Sequence, residues 1–550
     1  MKTNRRDFIQ KMGLGTAALG LGTPALATSS SSAEEIADDK NDGPVLQIGD
    51  HIAVAETAYG KVRGYVLRGI TTFLGIPYGA DTSGENRFMP PQKPKPWTTI
   101  YPAIWWGNTA PQNMEKRYAN AYYSFSDHWN YDDVSEDCLR INVWTPAIND
   151  GKKRPVLVWL HGGGYTNGNG IEQDGYHGEN FSRKGDVVFC SLNHRLGPMG
   201  YANFAGADKR FAASGNVGML DIVAALEWVR DNISNFGGDP GNVTIMGQSG
   251  GGAKVCVLTA MPSAKGLFHK AVPLSGSSLK ATEKEVSEKL GAYVLKEAGL
   301  TSSEMEVLQK MPWKQYYELA TRAMTKLREE LKAPVGFSPV VDGTYLPQHP
   351  YEPAASSLAN DIPMMICTTF NEMAPSRSDA TLENIDLAGV KEKLKERFGD
   401  KTSNIVDSYA KTFPDKKPVE IWSMVASNRQ NAIALADSKS KQNAPVYLAW
   451  FGWQPPLFDN RMRAFHCIDI CFWFDNTDLM YTHTGGGARP RRLAAKMSAS
   501  LLKFMRTGNP NGGGLPAWTA YHSANGETMI LDDQSVLKND PDREARKAFV

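Results

Sequence analysis

Short apolar runs alternate with longer segments of helical periodicity through much of this chain. Continuous apolar runs at 154–160, 186–192 and 243–246 predict buried strands. Between the second and third of these runs, 218–236 carries apolar residues at helical spacing and ends in a Gly-Gly-Asp-Pro turn. Alternation of strand and helix in this way predicts an α/β fold with a parallel or mostly parallel sheet covered by helices.

The same pattern continues in the second half of the chain, with two insertions. Strands are predicted at 364–370 and 446–451, and a last helix at 490–506. Charged segments with helical periodicity, at about 279–335 and 384–443, are expected to be helical insertions packed over the carboxyl edge of the sheet. Capping-box spacings at Thr282/Glu285 and Thr301/Glu304 predict two helix starts in the first insertion. We expect 51–550 to form one domain.

Composition excludes several classes of function. The 550 residues carry a formal net charge of +1, which gives no general attraction to nucleic acid or anionic membranes. The body of the chain has no apolar run of about 18 residues, so no transmembrane helix is expected. It has neither an H-E-x-x-H motif nor paired Cys/His motifs, so no metal and no cofactor are expected.

The first residues have the pattern of an export signal. Arg5-Arg6 precedes a mildly apolar run at 12–22 and a small-x-small sequence that ends at Ala27. This predicts a twin-arginine signal peptide at 1–27 and an exported, periplasmic or secreted, bacterial protein; a flexible basic tail is the alternative. Residues 28–50 are predicted to form a disordered linker. The six cysteines are sparse and unpaired in sequence, and we expect mostly buried thiols.

The segment that suggests chemistry is Gly247-Gln248-Ser249-Gly250-Gly251, between the strand at 243–246 and a predicted helix start at 253. A tight strand-to-helix turn crowds the backbone, and glycine removes the Cβ atoms that would clash. Such a turn exposes the Ser249 hydroxyl at the end of a strand and directs the N–H of Gly250 toward the same space. The pattern predicts a nucleophile and an anion-stabilising donor; a glycine-rich turn with a solvated serine is the alternative.

Three further segments supply what an acyl-transfer site needs. His161-Gly162-Gly163-Gly164-Tyr165 directly follows a strand, where glycines let backbone N–H groups approach a ligand, so Gly163 and Gly164 are candidate oxyanion donors. Glu372 lies just past the strand at 364–370, at the level expected for the serine. His466 begins an apolar segment in the place where the third member of a triad is needed. Taken singly, Glu372 is as readily a surface residue and His466 a structural histidine.

Aromatic residues are concentrated at 101–131, Trp105 and Trp106 among them. Two interpretations stay open: a loop held down by large apolar rings, or a pocket wall for an aromatic or bulky ligand. We include Trp105, Trp106, Tyr165 and Gln248 as candidate pocket residues.

These motifs together resemble the type-B carboxylesterases, the cholinesterase-like branch of the α/β-hydrolase fold, from about residue 60 to 518. The motifs that carry the resemblance are Phe73-Leu-Gly-Ile-Pro-Tyr78, Ser135-Glu-Asp-Cys138, His161-Gly-Gly-Gly164, Asn193-His-Arg195, Phe236-Gly-Gly-Asp-Pro240, the turn around Ser249, and His466 with Ile470 and Phe472.

The resemblance implies a serine carboxylesterase that forms an acyl-enzyme, with the small-molecule ester as its partner and no cofactor. Ser249 is the implied nucleophile, Glu372 the acid and His466 the base, and Gly163, Gly164 and Gly250 form the implied oxyanion hole. It also implies two structural salt bridges, Arg87 with Glu136 and Arg195 with Asp221. Two alternatives remain: a catalytically silent interaction protein on this fold, and another acyl hydrolase such as a lipase, amidase or lactonase.

Two departures from the family pattern bear on the substrate. The family turn usually reads Gly-Glu-Ser-Ala-Gly, and Gln248 here removes a negative charge beside the nucleophile, which counts against a cationic choline ester. Cys138 is the first cysteine of the chain, so the loop disulfide common in the family is absent. The absent disulfide leaves the shape of the pocket wall open, while the aromatic stretch favours an aryl or bulky ester and Gln248 favours an uncharged one. The oligomeric state is open.

Overall fold

The computed structural model describes residues 44–114 and 133–549. The predicted signal peptide, most of the predicted linker and the aromatic stretch from residue 115 to its end, within 115–132, lie outside the described residues. Residues Val45–Val550 form one compact unit.

The unit is built on a twelve-stranded sheet in the order β1-β4-β5-β7-β9-β8-β10-β11-β12-β13-β14-β15, with β2, β3 and β6 in a separate three-stranded sheet. The strands are β1 Leu46–Gln47, β2 Val54–Thr57, β3 Gly60–Arg63, β4 Tyr65–Leu67, β5 Ile70–Pro77, β6 Tyr101–Pro102, β7 Arg140–Thr145, β8 Arg154–Leu160, β9 Val188–Leu192, β10 Gly238–Gln248, β11 Lys270–Leu274, β12 Met364–Thr369, β13 Val446–Phe451, β14 Glu527–Leu531 and β15 Val536–Asn539.

The centre of the large sheet is parallel and its edges are antiparallel. Every neighbouring pair from β9 through β8, β10, β11, β12 and β13 to β14 is parallel. The strands on the β1 side and the last strand, β15, pair antiparallel. The parallel centre is buried on both faces, which is why these strands read as continuous apolar runs. The predicted α/β-hydrolase arrangement is confirmed.

Helices cover both faces and fill the two predicted insertions. They are α1 Gly178–Gly185, α2 Gly197–Tyr201, α3 Val217–Asn232, α4 Gly250–Leu258, α5 Lys284–Ala298, α6 Met305–Lys310, α7 Trp313–Leu331, α8 Leu387–Phe398, α9 Thr402–Thr412, α10 Pro418–Val425, α11 Arg429–Lys439, α12 Ile470–Trp473, α13 Tyr481–Thr484, α14 Ala488–Thr507 and α15 Arg543–Arg546. In the described ranges, no helix is long and apolar enough to cross a membrane.

One of the two predicted helix starts is wrong. The capping box at Thr301 and Glu304 forms, but α5 begins at Lys284, with Glu283 as its N-cap. Thr282 instead pairs with Val340 in an isolated β-bridge, so its backbone is committed to an extended conformation.

Both salt bridges implied by the family resemblance form, and both are buried. Arg87 binds Glu136 through Nε and Nη2 at 2.7 and 2.5 Å. Arg195 makes the same bidentate contact with Asp221, at 2.9 and 2.6 Å. Planar guanidinium and carboxylate groups satisfy each other in this geometry, which makes burial of both charges tolerable. All six cysteines are free thiols, as expected; Cys467 is half-buried and the others are buried.

Candidate active site

The turn around Ser249 joins β10 directly to α4. Ser249 adopts φ 57° and ψ −122°, a strained backbone conformation for a residue with a side chain. Its N–H donates to the carbonyl of Leu274 at 2.8 Å, which anchors the turn to β11. A Cβ built on Gly251 would lie 2.0 Å from the carbonyl oxygen of Leu160, so the start of α4 packs directly against the end of β8. This is the predicted strand–turn–helix geometry that exposes a nucleophile.

The glycine loop after β8 lies against the same turn. Gly163 and Gly164 have φ of 79° and 62°, which glycine adopts without strain. A Cβ built on Gly250 would meet the carbonyl oxygen of Gly164 at 2.1 Å. The loop therefore approaches α4 more closely than an alanine at position 250 would allow, which explains why glycine replaces the family's alanine here. The three candidate oxyanion donors thus lie in two backbone segments that touch each other.

The acid and the base are brought together by a bridge between two loops. Asn371 pairs with Phe465, and the Asn371 N–H donates to the carbonyl of Ala464 at 3.1 Å. Glu372 follows Asn371 and His466 follows Phe465, so the bridge places these two residues side by side. Glu372 Oε2 lies 2.5 Å from His466 Nδ1, while Oε1 accepts the N–H of Thr369 at 2.9 Å. Because the bond from Thr369 fixes the carboxylate, the contact between that carboxylate and His466 can orient the imidazole.

The surroundings favour a charged imidazole. Partial burial alone would lower the pKa of His466, but interactions with Cys467 and with the Glu372 carboxylate raise that pKa well above its usual value. The His466 side chain is 33% exposed and that of Glu372 only 4%. Above its raised pKa the imidazole is neutral, and a half-open neutral imidazole backed by a buried carboxylate can take a proton from a group on its solvent side.

Gln248, the residue before Ser249, contacts the base directly. Its Nε2 lies 3.3 Å from both ring nitrogens of His466, and its Oε1 accepts the Cys467 thiol at 3.2 Å. In the described ranges no hydrogen bond joins the Ser249 hydroxyl to His466. The structure therefore brings Glu372 and His466 into contact, and it brings the neighbour of Ser249 against the imidazole.

A cavity of about 510 Å³ opens beside Ser249. The residues around it are Gly164, Tyr165, Ser249, Gly250, Ala253, Ser275, Gly276, Ser277, Ser278, Leu279, Lys280, Glu352, Asn428 and Asn431. Tyr165 is thus at the cavity, as proposed from the sequence. Among described residues, Gln248, Trp105 and Trp106 are not in its lining, and a role for them in a substrate pocket stays a prediction.

Two buried ionisable groups near the site were not anticipated. Asp469 lies three residues after His466, and burial raises its pKa to about 7. Lys254 lies on α4, five residues after Ser249, and is fully buried. Neither residue belongs to a recognisable sequence motif. The sequence indicates them only by position, because each follows a candidate catalytic residue by three or five residues. Within 44–114 and 133–549 no cluster of three His, Cys, Asp or Glu side chains could hold a metal ion.

The chain is similar to known esterases over nearly all its length. Residues 52–550 match the model of the carboxylesterase family. The chain belongs to this family. Para-nitrobenzyl esterase of Bacillus subtilis is 32% identical over 90% of this chain and 98% of its own length. Phenmedipham hydrolase of Pseudarthrobacter oxydans is 30% identical over 88% and 96%. The solved structure of an esterase from Clostridium hathewayi superposes with a TM-score of 0.80 at 33% identity, covering 91% and 98%.

This carboxylesterase is a carboxylic-ester hydrolase with an α/β-hydrolase fold, as the sequence motifs implied. The comparisons identify the reaction class and the fold.

Proposed function

We propose that Ser249 is the nucleophile of this carboxylesterase, His466 its general base and Glu372 the acid that orients the base. The observation that carries the proposal is the 2.5 Å contact between Glu372 and His466. This pair lies against Gln248, the residue that precedes Ser249. A serine hydroxyl is a weak nucleophile at its free pKa, so it needs an adjacent base to react with an ester.

The reaction follows from these roles. His466 accepts the proton of the Ser249 hydroxyl as the oxygen attacks the ester carbonyl, and it then donates that proton to the departing alcohol. Water attacks the resulting acyl-enzyme with the same base assistance and releases the acid. Glu372 holds the imidazole in the required tautomer and stabilises its cation. The backbone N–H groups of Gly163, Gly164 and Gly250 receive the oxyanion of each tetrahedral intermediate.

The missing contact between Ser249 and His466 is compatible with this role. Catalytic hydrogen bonds of a free enzyme are often long and tighten only when substrate binds. The Gln248 amide lies 3.3 Å from both ring nitrogens, so a movement that turns the imidazole toward the hydroxyl would also change this contact.

For the substrate we propose an uncharged ester with an aryl or bulky group. Gln248 supplies no negative charge for a cationic alcohol. Two similar proteins carry related groups in their names: the Bacillus subtilis esterase is a para-nitrobenzyl esterase, and the Clostridium hathewayi enzyme can hydrolyse aliphatic aromatic polyesters. Rates on a panel of aryl, alkyl and choline esters test this choice. A preference for long acyl chains with interfacial activation would indicate a lipase instead.

We also propose that the protein is exported through a twin-arginine pathway to the periplasm or beyond. The Arg5-Arg6 pair and the small-x-small sequence ending at Ala27 support this. Replacing both arginines with lysine should block export, so that the esterase activity is found in the cytoplasm. Unchanged activity in the periplasmic fraction would contradict the proposal.

Covalent labelling tests the nucleophile directly. A fluorophosphonate probe should label the purified enzyme at Ser249, and Ser249→Ala should abolish labelling and lower kcat by about 10⁶-fold. Ser277→Ala is the matched control, because Ser277 lines the same cavity but lies outside the turn; this variant should still be labelled. Labelling that survives in Ser249→Ala, or an unlabelled wild type that is still active, would contradict the assignment.

A further inference from the structure

A buried lysine joins the two backbone segments of the proposed oxyanion hole. Lys254 lies on α4, the helix that begins immediately after Ser249, and its side chain is fully buried. Its ammonium group donates to the carbonyl oxygen of His161 at 3.0 Å. His161 is the residue between the end of β8 and the glycine loop, so this bond connects the helix of the nucleophile to the loop that carries Gly163 and Gly164.

The environment of Lys254 is unusual for a lysine. The stacked imidazoles of His161 and His194 have ring centroids 4.9 Å apart, and both are buried. Burial, together with the charge of Lys254, lowers the pKa of each histidine well below its usual value, so both are neutral. Burial lowers the pKa of Lys254 to about 7, and buried Glu172 opposes that shift.

Burying an ammonium group is unfavourable unless hydrogen bonds and charge compensate for lost water. Here one compensating acceptor is the backbone carbonyl that sets the direction of the glycine loop. Gly168 lies so close to the His161 ring that a Cβ built on it would be 2.4 Å from Nδ1. His161 is therefore held by Lys254 at its carbonyl and has Gly168 packed closely against its ring.

We propose that Lys254 is a positioning residue for ester hydrolysis: its bond to the His161 carbonyl holds the glycine loop at the distance from α4 at which the loop's N–H groups meet the oxyanion. This inference rests on the proposed function, because it requires the oxyanion hole to lie in this loop. Lys254 itself touches neither substrate nor Ser249. Its effect on rate comes through the placement of Gly163 and Gly164.

The chain contains a second buried lysine that serves as a matched control. Lys439, at the end of α11, is also fully buried and donates to a backbone carbonyl, that of Ala359, at 2.9 Å. Burial lowers its pKa too, to about 8. Ala359 precedes β12, so this bond lies at the amino ends of the parallel strands, the edge of the sheet opposite the active site.

The experiment compares Lys254→Met with Lys439→Met. Methionine keeps the apolar stem of lysine but removes the charge and the donor. Because small displacements of a catalytic group have large effects on rate, Lys254→Met should lower kcat by about 10- to 100-fold with KM changed less than about threefold. Inhibition by an alkylboronic acid, which forms a tetrahedral anionic adduct, should weaken by a similar factor. Lys439→Met should lower Tm comparably and keep kcat near that of the wild type.

Lys254→Arg is the second variant, since it keeps a cation and a donor but lengthens the side chain. We expect its kcat to lie between those of the wild type and Lys254→Met, at least about threefold below the wild type. If Lys254→Met does not fold, this variant decides. A folded Lys254 variant with wild-type kcat and boronate inhibition would overturn the proposal, as would an equal loss of kcat in Lys439→Met.

Fluorophosphonate labelling separates this proposal from the assignment of the nucleophile. All folded Lys254 variants should be labelled at Ser249, because Lys254 is not part of the triad. Absence of labelling in the active wild type contradicts the proposed function as a whole. Labelling of every variant with unchanged kcat contradicts only the role of Lys254.

Discussion

The two sides of the active site are built in different ways. The Ser249 side is made of backbone packed on backbone, where a Cβ at Gly250 would meet the Gly164 carbonyl at 2.1 Å. The His466 side is made of side chains that meet across one bridge, with the imidazole 33% exposed. The first side has no room for added atoms, and the second has room but depends on specific charges. We therefore expect changes of size to damage the first side and changes of charge to damage the second.

Among the changes that compare the two sides, the largest effect is expected from removing the charge on the His466 side. Glu372→Gln keeps the shape of the side chain but cannot hold an imidazolium, so kcat should fall by about 10⁴-fold. Tm should change little, because the carboxylate's contacts to Thr369 and His466 have amide counterparts. Steady-state kinetics and thermal unfolding of the same preparations test both statements.

The pH profile sharpens this expectation. Protonated His466 cannot accept the serine proton, so kcat/KM should fall as pH decreases through the pKa of His466. Since that pKa is raised, the acid limb should lie above about 6.5, the ordinary histidine value. Glu372→Gln removes one interaction that raises the pKa, so the limb should move to lower pH. A limb that stays in place in this variant would indicate that another group titrates.

An intermediate effect is expected from adding one methyl group on the Ser249 side. Gly250→Ala places a Cβ against the Gly164 carbonyl and must displace the glycine loop. Disturbing an oxyanion donor typically costs about 10²- to 10³-fold in kcat, and Tm should fall as well. Gly336→Ala is the control, because a Cβ there meets only the far end of Arg328, at 3.9 Å. Wild-type kcat in Gly250→Ala would show that the loop does not supply the donors.

The smallest effect is expected at Gln248, where the two sides meet. Its amide makes polar contacts with His466 and Cys467, each worth about 1 kcal/mol. Gln248→Ala should therefore change kcat by less than about tenfold, and Cys467→Ala by less than Gln248→Ala. Loss of more than about 100-fold in either variant would mean that Gln248 takes part in the chemistry.

The sequence was most informative where function depends on neighbouring residues. The turn around Ser249 is continuous in sequence, so one five-residue motif predicts its geometry, although the atoms that exclude a Cβ at Gly250 and Gly251 belong to Gly164 and Leu160, far away in the chain. Glu372 and His466 are 94 residues apart; only the resemblance to a family paired them, because the bridge at Asn371 and Phe465 has no sequence signature.

Other features depend on tertiary packing that periodicity does not reveal. Lys254 occupies a helix start where a lysine is usually solvated, and it is buried only because α4 lies against β8 and the glycine loop. Thr282 has capping-box spacing with Glu285, but pairing with Val340 takes priority. In both cases a long-range contact overrides a local preference.

The free thiols have a practical consequence. With no disulfide among its six cysteines, the folded enzyme needs no oxidant to assemble and should be obtainable in active form from a reducing cytoplasm. Cys467 is the one cysteine of the six that solvent partly reaches, and it adjoins the base of the proposed triad. A mild thiol-reactive fluorophore would thus attach beside the imidazole and report on substrate entry without any engineered label site.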